Sequence, residues 1–128
     1  MPRFLSPEWL EHQRSLASAL PVRPGATARL QVVVTGGPDG DVIYTQVIED
    51  GQLVASTLGP DDSADVTLTQ TYPDAVAIAK GELDANAAFM QGRVKVVGNM
   101  GALMAVMPLT QSTDYKDLVA ALAADTDF

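Results

Sequence analysis

Few side chains in this chain can do chemistry. His12 is the only histidine, and there is no cysteine. A histidine-centred metal site or a Ser-His-Asp triad would therefore rest on a single residue, and thiolate ligation is excluded. His12 falls in an opening helical stretch beside no partner motif and reads as a surface histidine. Two acidic groups, Asp39 with Asp41 and Asp61, Asp62 with Asp65, are dense enough to raise calcium. Neither has the alternating ligands and closing Glu of a calcium loop, so both read as solvated loops. Tyr44, Tyr72 and Tyr115 could act as acids beside a buried carboxylate, but nothing in the sequence pairs them. Neither GxxxxGK(S/T) nor GxGxxG is present to cradle phosphates, and the GxxG of Gly98 to Gly101 suits the start of a helix. The sequence thus points to no catalytic residue, no cofactor and no metal.

What remains is apolar chemistry. Four of the five methionines lie between Met90 and Met107. Thioether chains are flexible and polarizable, so such a cluster suits either core filling or a surface that adapts to variable apolar partners.

The elements that must carry these residues are legible from period and punctuation. Ser6 is a good N-cap, Pro7 suits the first helical position, and Trp9, Leu16 and Leu20 share a face until Pro21. Three strands follow. The first alternates Ala28, Leu30, Val32 and Val34 with polar residues, the second runs from Val42 to Glu49, and the third from Leu53 to Thr57. Turn residues at Gly36 to Gly40 and at Asp50-Gly51 predict an antiparallel meander. A fourth strand spans Asp65 to Thr71, short helices follow Pro73 and Asp84, and a fifth strand spans Arg93 to Val96. Two amphipathic helices end the sequence. Asn99 caps one with a stripe of Met100, Leu103, Met104 and Met107 that Pro108 stops, and Tyr115, Leu118, Val119 and Leu122 stripe the other.

Length and charge bound the rest. The 128 residues fit one domain, residues 1–128, and 47% hydrophobic residues are enough for a packed core. No apolar run approaches the ~20 residues that span a bilayer, so no stable membrane insertion is expected. The first residues lack an apolar signal-peptide core, which makes a cytoplasmic setting the expectation. A net charge of −8 opposes nucleic acid and acidic lipid as partners. The one basic grouping, Lys80, Arg93 and Lys95, reads as a solvated face.

A resemblance rests on four blocks in order: Ala64-Asp65-Val66-Thr67-Leu68-Thr69; Gly81-Glu82-Leu83-Asp84; Ala88-Phe89-Met90-Gln91-Gly92-Arg93-Val94-Lys95-Val96; and Gly98-Asn99-Met100-Gly101. Together they resemble the sterol carrier protein type-2 domain family, most strongly over Asp65 to Leu109, with the first sixty residues matching only in pattern. The resemblance implies an α/β (α+β) fold: a single five-stranded mixed sheet, helices on one face, and a hydrophobic tunnel between them. It implies non-catalytic binding or carriage of a fatty acid, fatty acyl-CoA, sterol or phospholipid. Carried over, the apolar wall comprises Phe89, Met90, Met100, Leu103, Met104 and Met107, with Ile78 and Leu83 added from the preceding helix and step. Glu82 stands where that family commonly has Lys, which argues against an anionic head group, and Ala85 where Pro is frequent. A free-standing acidic version with no fused enzyme points to a bacterial or archaeal source.

The expected protein is thus a lipid-binding domain that does no chemistry. The rival reading is an interaction module or accessory subunit whose Met-rich helix docks on an enzyme of lipid metabolism. An enzyme or enzyme subunit using a Tyr and a carboxylate on a hydrophobic substrate is the third and weakest.

Overall fold

A computed structural model describes residues 2–18, 20–38, 40–110 and 112–128. Ser6 caps α1 (Pro7–Ala17), its side chain accepting from the Trp9 N–H. The helix stops earlier than the Pro21 signal suggests, because a residue before proline is driven away from the helical region and the chain must leave the helix first. Strands β1 (Ala28–Gly37), β2 (Gly40–Glu49) and β3 (Gln52–Leu58) form the expected antiparallel meander, with Asp50-Gly51 as the two-residue turn. β4 (Val66–Thr71) then lies parallel to β1, and β5 (Lys95–Gly98) antiparallel to β4. The sheet order is β3-β2-β1-β4-β5, which makes it mixed.

Between β4 and β5 run α2 (Tyr72–Ala79) and α3 (Ala85–Met90), capped by Thr71 and Asp84. After β5 come α4 (Met100–Thr110) and α5 (Thr113–Ala124). Asn99 Oδ1 accepts from the Ala102 N–H at 3.2 Å and so caps α4. Pro108 does not end α4 but sits inside its last turn, where only one backbone bond is forfeited.

Register explains the core. Because side chains alternate along a strand, one row across the sheet reads Tyr44, Val32, Leu68, Val96, and the next reads Ser56, Gln46, Leu30, Val66. These rows face the helices. The opposite face carries Gln31, Thr67 and Thr69 with the half-buried Val33, Ile43 and Val47. Gly98 ends the row on β5, where a Cβ would stand 2.5 Å from the Asp65 carbonyl oxygen. Its φ of +125° also suits no other residue.

The buried residues fall into two clusters on that one sheet face. The first joins Leu30, Ile48, Leu53 and Val66 to Leu103, Val106, Leu109 and Leu118. The second joins Val32, Val34 and Tyr44 to Phe4, Trp9, Ala75 and Leu122. α5 supplies a residue to each.

The chain ends are tied together. The Phe4 N–H donates to the Asp127 carbonyl, and the Asp127 N–H donates to that of Pro2, both at 2.8 Å. Phe4 stacks edge-on to Trp9 at 4.9 Å and lies 5.2 Å from Phe128. No helix among the described residues is long and apolar enough to cross a membrane.

Candidate functional site

Residues of both clusters line one cavity of about 220 Å³ between the sheet and the helices. Since one water takes ~10–15 Å³ by this measure, the space holds roughly fifteen to twenty waters. Protein interiors otherwise pack as densely as organic crystals, so a void of this size in a 128-residue domain is a feature to explain. Every element contributes to its wall. The sheet gives Leu30, Val32, Ile48, Leu53, Leu68 and Val96, α2 gives Ala75 and Ile78, and α3 gives Phe89. α4 and α5 close it with Leu103, Val106, Leu118 and Leu122, and α1 with Trp9 and Ala17.

Among the described residues the lining holds no Asp, Glu, Lys, Arg or His. Its polar side chains are Gln13, Tyr44, Gln46, Gln70, Asn86 and Tyr115, besides the Trp9 indole. The Trp9 Nε1–H is satisfied by Thr126 Oγ1 at 2.9 Å. Gln46 Nε2–H donates to Gln13 Oε1 at 3.0 Å, joining β2 to α1. Burial pushes the Tyr44 hydroxyl far above its ordinary value, reinforced by Tyr115. Burial also raises Tyr115, with the Asp84 carboxylate adding to it. Both phenols are therefore neutral hydrogen-bond donors at ordinary pH.

The eight residues expected at the wall divide evenly. Ile78, Phe89, Leu103 and Met107 line the cavity. Leu83, Met90, Met100 and Met104 do not. Met90 is 84% exposed and Met104 60%, with Met100 also on the surface. For α4 the reason is composition. Met100 to Leu109 is apolar on every side of the helix, so an i, i+3, i+4, i+7 stripe could be drawn along more than one face. The sheet selects Leu103, Val106, Met107 and Leu109, roughly a quarter of a turn from the expected stripe. Met90 is the last residue of a six-residue helix whose buried residue is Ala88. Leu83 is half-buried in the turn after α2, where the Gly81 N–H bonds the Ile78 carbonyl and the Glu82 N–H that of Ala77. This paired cap, with Gly81 at φ +78°, carries the chain off the inner face of α2 before Leu83 is reached.

Much of the wall was missed, including all of its first-sixty-residue part, with Phe4, Trp9, Gln13, Tyr44, Gln46 and Ile48 among it. One signal was available. Gln13 falls in the stripe of Trp9, Leu16 and Leu20, and Gln46 shares its strand face with Tyr44 and Ile48. A polar residue in an apolar stripe marks a buried hydrogen bond or a wet cavity.

The chemistry-bearing residues elsewhere are structural. His12 Nε2 lies 3.1 Å from Asp125 Oδ2, linking α1 to the end of α5. Asp61 accepts from Arg29 and from the Ser63 N–H, each at 2.8 Å, and the Arg29 hydrogen bond holds its carboxyl below the usual range. Asp65 accepts from the Arg29 backbone N–H, and Asp41 from that of Gly36. Asp39 lies outside the described residues. Among these residues no group of three or more acidic or histidine side chains could hold a metal. The basic trio is dispersed among other contacts: Lys80 sits 5.1 Å over the Phe128 ring and Arg93 is 3.9 Å from Asp74.

A five-stranded mixed sheet in this order, helices over one face and an apolar cavity beneath them, invites comparison with lipid-carrying folds. The model of the SCP-2 sterol transfer family matches residues 10–111. The chain belongs to that family. Rat (Rattus norvegicus) sterol carrier protein 2 is 37% identical over 58 residues, 45% of this chain but 11% of the relative, so the chain matches a small part of that protein. A crystal structure of sterol carrier protein 2 superposes with a TM-score of 0.74 at 14% identity, covering 92% of this chain and 98% of the other. The solution structure of palmitated sterol carrier protein 2 like 2 from Aedes aegypti gives 0.66 at 18% identity, covering 84% and 96%. At such identities the two structures establish a shared fold. For the SCP-2 family, that fold is a lipid-binding and transfer domain.

Proposed function

We propose that this chain holds one apolar lipid in the cavity between its sheet and helices and carries it without transforming it. The observation that supports the reading most is the wall itself: a mainly aliphatic and aromatic surface to which the described residues add a few neutral polar groups and no carboxylate, amine, guanidinium or imidazole. Burying an acyl chain is favourable by ~0.8 kcal/mol per CH₂. Ten buried methylenes therefore supply about 8 kcal/mol before ordering costs, enough for micromolar affinity. A relative of the same fold is described as palmitated, which agrees with this reading. The bound molecule enters the cavity tail and body together, and Phe89, Leu103 and Met107 touch it. Native mass spectrometry of gently purified protein tests the proposal: an added mass in the lipid range, one per chain, is expected. A protein that elutes empty and gives no saturable signal with a fluorescent fatty acid, while folded by circular dichroism, would refute it.

A second reading has its own observation. Met90, Val97, Met100 and Met104 are exposed on α3, β5 and α4, which follow one another in the chain. Surface methionines suit adaptable contacts, as for a module docking on an enzyme of lipid metabolism. Isolation from cells separates the two, because a carrier retains lipid and a docking module elutes with a protein.

A further inference from the structure

The cavity is apolar but its polar groups are not scattered evenly. Tyr44 and Gln46 are two residues apart on the inward face of β2. Gln13 reaches them from α1, its Oε1 accepting from Gln46 Nε2 at 3.0 Å and more weakly from Ser56 Oγ at 3.4 Å. That pairing commits the Gln13 oxygen and one Gln46 proton. It leaves the Gln13 amide protons and the Gln46 oxygen as donor and acceptor in the cavity wall. Tyr115 enters the same cavity from α5. Among the described residues, neither tyrosine hydroxyl has a hydrogen-bond partner. Tyr44 and Tyr115 thus line one cavity, from the sheet and from α5, and Tyr115 acts electrostatically on Tyr44.

We propose that Tyr44, Tyr115 and the Gln13–Gln46 amide pair form a head-group site that selects an uncharged, hydroxyl-bearing lipid over a carboxylate. This rests on the carrier reading above and names the ligand class within it. A hydroxyl both donates and accepts, which matches phenol donors beside an amide oxygen. A carboxylate only accepts, and it would have to shed its water where the wall offers no cation. The Asp84 carboxylate acts electrostatically on Tyr115 and repels an anion there. The same burial that keeps both phenols protonated therefore disfavours an ionised ligand.

The test uses the full chain and two ligands of equal length, dodecan-1-ol and dodecanoate, each displacing an environment-sensitive apolar probe at pH 8. The alcohol is expected to bind about tenfold tighter or better. Tyr44→Phe and Tyr115→Phe keep the rings and remove the hydroxyls. Each should weaken the alcohol by roughly three- to tenfold and leave dodecanoate nearly unchanged, so that the preference narrows. Equal or tighter dodecanoate binding by the wild-type chain overturns the head-group site, as does an unchanged preference in folded Phe variants. Should either variant fail to fold, the wild-type comparison alone decides. A probe that never saturates the folded wild-type chain removes the carrier reading itself, an outcome distinct from saturable binding without preference.

Discussion

The Trp9 indole N–H donates to Thr126 Oγ1 at 2.9 Å, a bond between residues 117 positions apart. It fastens α1 to the segment after α5, and both Trp9 and Leu122 on the adjoining turn line the cavity. Trp9 is 3% exposed and Thr126 5%, so neither group can turn to water instead. Thr126→Val leaves a buried indole donor without a partner and should cost about 1–3 kcal/mol. Urea unfolding of the single variants and of Trp9→Phe/Thr126→Val checks this. The double variant should lose less than the sum of the singles, because removing both partners leaves nothing unsatisfied.

Placement on α4 gives a paired prediction about binding. Met104 is exposed, so Met104→Glu should change stability by less than about 0.5 kcal/mol and leave lipid affinity within twofold. Ile78→Trp fills cavity volume from α2 and should weaken binding about tenfold or more, with the fold retained. Titration with a fluorescent fatty acid measures both. Loss of affinity in the Glu variant would return Met104 to the wall.

Gly98 and Gly101 are close in sequence and opposite in expectation. Gly98→Ala would drive a Cβ to 2.5 Å from the Asp65 carbonyl oxygen at φ +125°. That should cost about 2–4 kcal/mol, since backbone must move and the conformation is strained. Gly101 lies within α4, where its Cβ would meet only the Asn99 side chain, at 3.2 Å. Gly101→Ala should be neutral or stabilising by up to about 1 kcal/mol, because alanine favours the helix. Thermal melting of the two variants separates them.

The buried phenols predict an alkaline weakness. The Tyr44 hydroxyl ionises in the unfolded chain near its ordinary value of 10.0 but only at far higher pH when folded. Below pH 10 both states are protonated and the group has no effect on stability. As pH rises through 10 the unfolded state alone gives up the proton, and stability falls by up to ~1.4 kcal/mol per pH unit. Tyr115 acts in the same direction. Urea midpoints at pH 8, 10 and 11 should therefore drop for wild type and drop less for Tyr44→Phe. Parallel declines would show that Tyr44 is not the group responsible.

Elements with strong local signals were readable without coordinates. The alternation of Ala28, Leu30, Val32 and Val34 gives β1, Asp50-Gly51 gives its neighbour's turn, and Asn99 starts α4. Each signal acts over a few residues, between a side chain and its own backbone or between neighbours on one strand. The contact His12 makes with Asp125 spans 113 residues, so no local signal announces it.

By itself, then, the sequence determined the α/β fold class, its five strands and its capped helices, because propensity, period and capping are local properties. Tertiary structure alone decided which side of α4 faces inward. A helix apolar on every side carries no direction until a sheet row of Leu30 and Val66 supplies one. It also decided the cavity, whose wall draws on residues from Phe4 to Leu122. Parallel pairing of β4 with β1 sets Leu30 beside Val66 and leaves two clusters with space between them. Volume left unfilled depends on how separate elements meet, and no stretch of neighbouring residues encodes it.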